Sequence, residues 1–197
     1  MHTRYAAANA LPLAAILALA GCSGGSGSMP GMDHGSAPMT TSTTAASASE
    51  ADILFVTMMI PHHEQAVEMS DTLLAKTGVD ERVTGLAEQI TAAQQPEIDT
   101  MKGWLSDWGV SMSDGMSGMD HGGMMSESDM QALESADARD AARLYLEQMI
   151  EHHQGAVDMA QDEIADGTDS EAVALARSIV ESQTAEISMM KELLTEL

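Results

Sequence analysis

Residues 58–69 read MMIPHHEQAVEM, and residues 148–159 read QMIEHHQGAVDM. The two stretches match at an offset of 90, and between them they hold four of the chain's seven histidines. At about 100° per residue, Met59, His62, His63 and Ala66 cluster on one helix face, with Met69 close beside His62. The second copy places Met149, His152, His153, Ala156 and Met159 in the same way. A second pair of segments extends the repeat. LAEQITAAQQPEIDTMKGWL (86–105) matches LARSIVESQTAEISMMKELL (175–194), so Gln94, Glu97, Ile98 and Met101 correspond to Gln183, Glu186, Ile187 and Met190. Each half therefore reads as a helical hairpin too small to bury its own apolar face. Two such hairpins predict an all-α four-helix bundle.

Around this core the chain divides by composition. Residues 1–21 read as an export signal, with Arg4 ahead of the apolar stretch AAANALPLAAILALA. Leu19–Cys22, LAGC, resembles the bacterial lipobox, which implies cleavage before Cys22, lipidation there, and a membrane-anchored lipoprotein at the cell envelope. An ordinary signal peptide followed by a chance cysteine is the plainer alternative. Residues 22–49 form a Gly/Ser/Thr-rich tether, 50–109 the first hairpin, 110–128 a Met/Gly-rich loop, and 129–197 the second hairpin. Ser49 with Asp52, and Thr168 with Glu171, are placed as capping boxes. The third helix is expected over 129–166, continuous or broken near Ala136, with Gly78 and Gly167 closing the hairpins. Pro61 and Pro96 fall inside the first pair of helices, where bends are expected.

Composition removes several classes of function. A formal charge of −23 opposes nucleic-acid binding, because phosphates are repelled. Cys22 is the only cysteine, so the mature domain has no internal disulfide and no thiolate nucleophile or ligand.

Counting from each turn compares levels within a hairpin, since a helix rises 1.5 Å per residue. His62 lies 16 residues before Gly78 and Gln94 lies 16 after it; His152 lies 15 before Gly167 and Gln183 lies 16 after. Both hairpins thus set His, His and Gln in one layer, with Met59, Glu97, Met149 and Glu186 about a turn away and Met101 and Met190 a turn further. With both turns at one end, the layer is expected towards the other end. There the tail (Met32, His34) and the loop (Met119, His121), which share the motif GMDHG, would sit over its mouth.

Methionines at helical spacing usually fill a core, and a buried histidine usually has a hydrogen-bond role. Glu97 and Glu186 read either as ligands or as acceptors for the histidines. Core packing does not account for the methionines in the Gly-rich segments. There are 18 methionines against five aromatic residues. Thioethers favour copper(I), and imidazole accepts copper in either oxidation state, so copper(I) ranks above copper(II) and zinc ranks lower. A di-iron centre wants Glu-x-x-His, whereas this chain has Met-x-x-His-His.

The doubled MIPHHEQAVEM and MIEHHQGAVDM elements, each followed by Q..EI..M, resemble the bacterial domain of unknown function 305 family over about residues 50–197. The resemblance implies a ferritin-like bundle, often exported, with some members linked to copper. It also implies that Met59, His62, His63, Met149, His152 and His153 carry the family motif. The expectation is a copper-binding envelope lipoprotein that buffers or transfers copper without turnover. Its partners would be copper ions and a membrane reached through a lipid anchor, with no protein partner identified. The rivals are a redox enzyme on the same bundle and a metal-free interaction module.

Overall fold

The computed structural model describes residues 48–112 and 122–197. Among them are five helices: α1 Glu50–Leu74, α2 Glu81–Trp108, α3 Glu127–Ser135, α4 Ala138–Asp166 and α5 Ser170–Glu196. The four long helices form the bundle, and α3 is a short element on the crossover. The segment expected as one helix from 129 is two, because Ala136 is extended and Asp137 caps a new start by accepting from the Arg139 and Asp140 amides. Pro61 and Pro96 lie inside α1 and α2 without ending them.

The caps show how the hairpins join. Ser49 and Asp52 make the expected capping box. Asp52 does more: its carboxylate also accepts from the Thr168 amide at 2.9 Å, the Asp169 amide at 3.0 Å and the Thr168 hydroxyl at 3.0 Å. Burial raises the Asp52 pKa, but these bonds together with those from Ser49 outweigh it and hold the carboxyl well below the usual range. Thr168 is thereby drawn away from the expected cap of α5. Asp169 caps that helix instead, accepting from the Glu171 and Ala172 amides.

Because Asp52 begins α1 and Thr168 follows α4, the two helices run antiparallel. Lys76, just past α1, donates to the carbonyls of Glu134 and Ala136 ahead of α4, which fixes the other end. Arg82 near the start of α2 pairs with Glu196 at the end of α5. The hairpin turns therefore lie at opposite ends of the bundle, which corrects the expectation of a shared end. The order is up, down, down, up, and the chain from Gly109 to Asp137 must climb the full length of the bundle between α2 and α4, as ferritin-like folds require.

The core is divided in two. Phe55, Met59, Ile60, Ile98, Met101, Leu105, Ala160 and Ile179 pack near the start of α1. Met69, Leu73, Leu86, Ile90, Tyr145, Leu146, Met149 and Met190 pack near its end. On every long helix the His and Gln positions fall between these clusters, so a polar layer crosses the middle of the bundle.

Glu163 lies near the Asp52 junction and is only 2% exposed. Burial, reinforced by the neighbouring Asp52, pushes its carboxyl up to about 8. The folded state then holds a proton that the unfolded chain loses above its ordinary value of 4.5, so stability falls as pH rises from there to about 8. Glu163→Gln removes that contribution. Thermal unfolding should show a shallower decline in Tm between about pH 5 and pH 8 in the variant; parallel slopes would show that Glu163 ionises normally.

Candidate metal centre

Antiparallel packing of α1 on α4 brings the histidines of the two repeats together at mid-length. The His62 and His152 rings meet with centroids 3.7 Å apart, and His153 lies 6.4 Å from His152. All four imidazoles are fully buried. Pro61 shifts neither member of the first pair off the layer.

The second histidine of each pair turns towards its own hairpin partner. His63 Nε2 is 2.8 Å from Glu97 Oε2, and His153 Nε2 is 2.7 Å from Glu186 Oε2. Both carboxylates keep about one-fifth of their side-chain surface exposed. With the ring proton on Nε2, each histidine donates to its glutamate and holds its Nδ1 lone pair inward. The geometry thus puts Glu97 and Glu186 against imidazoles, the arrangement that orients a metal-binding histidine and raises its basicity.

Several buried polar atoms in this layer have no hydrogen bond of ordinary geometry: Nδ1 of His63 and His153, both amide atoms of Gln94, and Oε1 of Gln183. Each such atom costs about 1–3 kcal/mol when left without a partner. Burial, with the neighbouring histidines His62, His153 and His63, drives the His152 pKa well below its ordinary value. His152 is therefore a neutral imidazole, the form that binds a metal.

The methionines flank the layer rather than forming one group. Met59 and Met101 lie in the cluster on one side, with Met159 half-buried against it; Met69, Met149 and Met190 lie in the other. Among the described residues, no three or more His, Cys, Asp or Glu side chains converge as a metal cage. A hard, all-oxygen or carboxylate-rich centre does not fit this donor set. Imidazoles in the layer and thioethers beside it are the donor types that a soft ion prefers. Met32, His34, Met119, His121 and Cys22, with the export signal and tether, lie outside the described residues. Among the described residues, no helix is long and apolar enough to cross a membrane.

Two features of the layer's cover were not read from the sequence. The Gln65 side chain donates to the Met125 carbonyl at 2.9 Å and accepts from the Met125 amide at 2.7 Å, a two-point clamp on the crossover. The Gly122–Gly123 turn rests on Gly155, where an added Cβ would sit 2.1 Å from the Gly122 carbonyl oxygen. The crossover thus straps the α1–α4 seam beside the histidines. The signal was present, because Gln65 and Gly155 occupy equivalent repeat positions and differ between the matching His-His and Ala-Val pairs. Gly155→Ala should force the turn off its seat and lower stability by about 1–3 kcal/mol in chemical denaturation; an unchanged midpoint would show that the strap yields freely.

The family profile described as Domain of unknown function (DUF305) matches residues 52–194. A candidate secreted DUF305 protein from Streptomyces coelicolor is 40% identical, with a TM-score of 0.70 over 74% of this chain and 93% of that one. A DUF305 fragment from Deinococcus radiodurans is 30% identical, with a TM-score of 0.69 over 76% and 99%. CopM in its Cu(I)-bound form is 33% identical, with a TM-score of 0.62 over 74% and 96%. CopM has also been solved in Cu(II)-bound and Ag-bound forms. No curated protein sequence matches the chain. The profile match and the likeness in fold agree: the chain belongs to the DUF305 family.

Proposed function

We propose that this protein is an exported copper-binding lipoprotein. It holds copper(I) in the mid-bundle layer and buffers the ion or hands it on, without catalytic turnover. The observation that carries the reading is the buried contact of His62 with His152, with His63 and His153 oriented by Glu97 and Glu186 on either side. Buried imidazoles and flanking thioethers suit a soft ion, and a bound ion would satisfy lone pairs that otherwise lack a partner. CopM, captured with Cu(I), Cu(II) and Ag, supports the same metal class.

The choice of a binder over an oxygen-activating enzyme is supported by the carboxylates. Glu97 and Glu186 are engaged at histidine Nε2, where a di-iron centre needs carboxylates free to bridge two ions. Copper(II) and zinc rank below copper(I), because neither accounts for the thioethers on both sides of the layer. The Cys22 anchor and the Met32/His34 and Met119/His121 segments complete the reading. The anchor would keep the protein at the envelope, and the segments would collect metal for the layer.

Competitive titration with a copper(I) chelator under anaerobic, reducing conditions tests the assignment. The combined His62→Ala, His63→Ala, His152→Ala and His153→Ala variant should lose the tight site, with circular dichroism showing that the helices remain. Glu97→Ala with Glu186→Ala should keep the site but weaken it about 10- to 100-fold. Affinity equal to wild type in the folded quadruple variant would remove the layer from the copper reading.

A further inference from the structure

Outside the histidine layer, a groove of about 670 Å³ lies between the first half of α1 and the second half of α4. Its walls carry five carboxylates, those of Glu151, Asp158, Asp162, Glu163 and Asp166, and neither Lys nor Arg. Its apolar floor includes Phe55 and two thioethers, Met58 and Met159. These two methionines are half-buried rather than sealed in the core.

Carboxylates alone are an ordinary solvated face, but Glu163 is not ordinary. It is 2% exposed, lines the groove, and neither of its carboxylate oxygens has a hydrogen-bond donor. Its neighbour Asp52 is held ionised by five hydrogen bonds and has no proton to give. Nothing within the described fold donates to an ionised Glu163, which as the acid shares its proton with Asp52, so a cation could stand in for that proton.

The groove also leads somewhere. Met58 precedes His62 by one helical turn, about 6 Å along the axis. Gly155, three residues beyond His152, lines the groove where Gly122 and Gly123 cross it. The groove thus ends under the strap, close to the histidine layer.

We propose that this groove is a transit site for a soft monovalent metal cation, received by Met58, Met159 and Glu163 before it enters the histidine layer. The inference rests on the copper-binding reading and adds the path of entry. Hard divalent cations need six or more oxygen ligands, and no three acidic side chains converge here to begin such a shell. Thioethers select the soft ion, and the acidic rim raises its local concentration. On arrival the ion replaces the proton of the buried Glu163 carboxyl, and that proton leaves through the groove to solvent.

Silver(I), a redox-inert probe of the same class, tests the path in the full chain. In stopped-flow mixing, the near-isosteric Met58→Leu variant should load the layer several-fold more slowly, with its final affinity unchanged against a competing chelator. An unchanged rate in a variant that still binds would overturn the transit site. In the chain whose four paired histidines are alanine, substoichiometric silver(I) should still move the Met58 and Met159 methyl resonances, and Glu163→Gln should diminish those shifts. Shifts that persist there sustain the groove even where the layer fails to bind; their absence overturns it with the layer's own status measured separately.

Discussion

Four imidazoles and two amides buried at mid-length are the constraint on which the rest of this bundle depends. A polar layer between two apolar clusters is costly wherever its atoms lack partners, and such atoms occur on His63, His153, Gln94 and Gln183. The fold sets most of that cost at one level, between the two apolar clusters. Larger side chains near the layer would close it. Ala66 and Ala156 are small, and Gly155 leaves room for the strap.

Electrostatics at the ends hold that layer in register. Asp52 ties the start of α1 to the turn after α4, and Lys76 ties the end of α1 to the carbonyls before α4. Both contacts set the antiparallel stagger of α1 on α4, the pairing that places His62 against His152. Most of the surface charge does not contribute comparably: exposed pairs such as Lys102 with Glu64 are worth little individually. The carboxylates that matter are the ones with defined partners, Asp52 at backbone amides and Glu97 and Glu186 at imidazoles.

Much of this was legible in the residues. Periodicity, capping and the repeat gave the long helices, and counting from the turns placed His, His and Gln of each hairpin at one level. The same counting failed between hairpins. It took the two turns to share an end, whereas Asp52 at Thr168 shows them at opposite ends. A clue was available. The glycine-rich connection over 110–128 is far longer than the few residues that join neighbouring helix ends, so a crossover along the bundle was the better reading. Thr168 likewise reads as a cap in sequence, because its local pattern cannot show that Asp52 of another helix competes for its hydroxyl.

The sequence by itself determined the helices, their apolar stripes and the matched donor sets, because these follow from periods of 3.6 residues and from short-range hydrogen bonding. It also determined the family, since the doubled His-His motif is carried by adjacent residues. Only the tertiary structure decided that His62 meets His152, that Glu97 and Glu186 engage imidazoles, and that Met58 and Met159 share a groove with Glu163. The reason is symmetry. A repeat has the same local pattern whether its copies are related by an axis along the bundle or across it, and contacts between copies choose between the two.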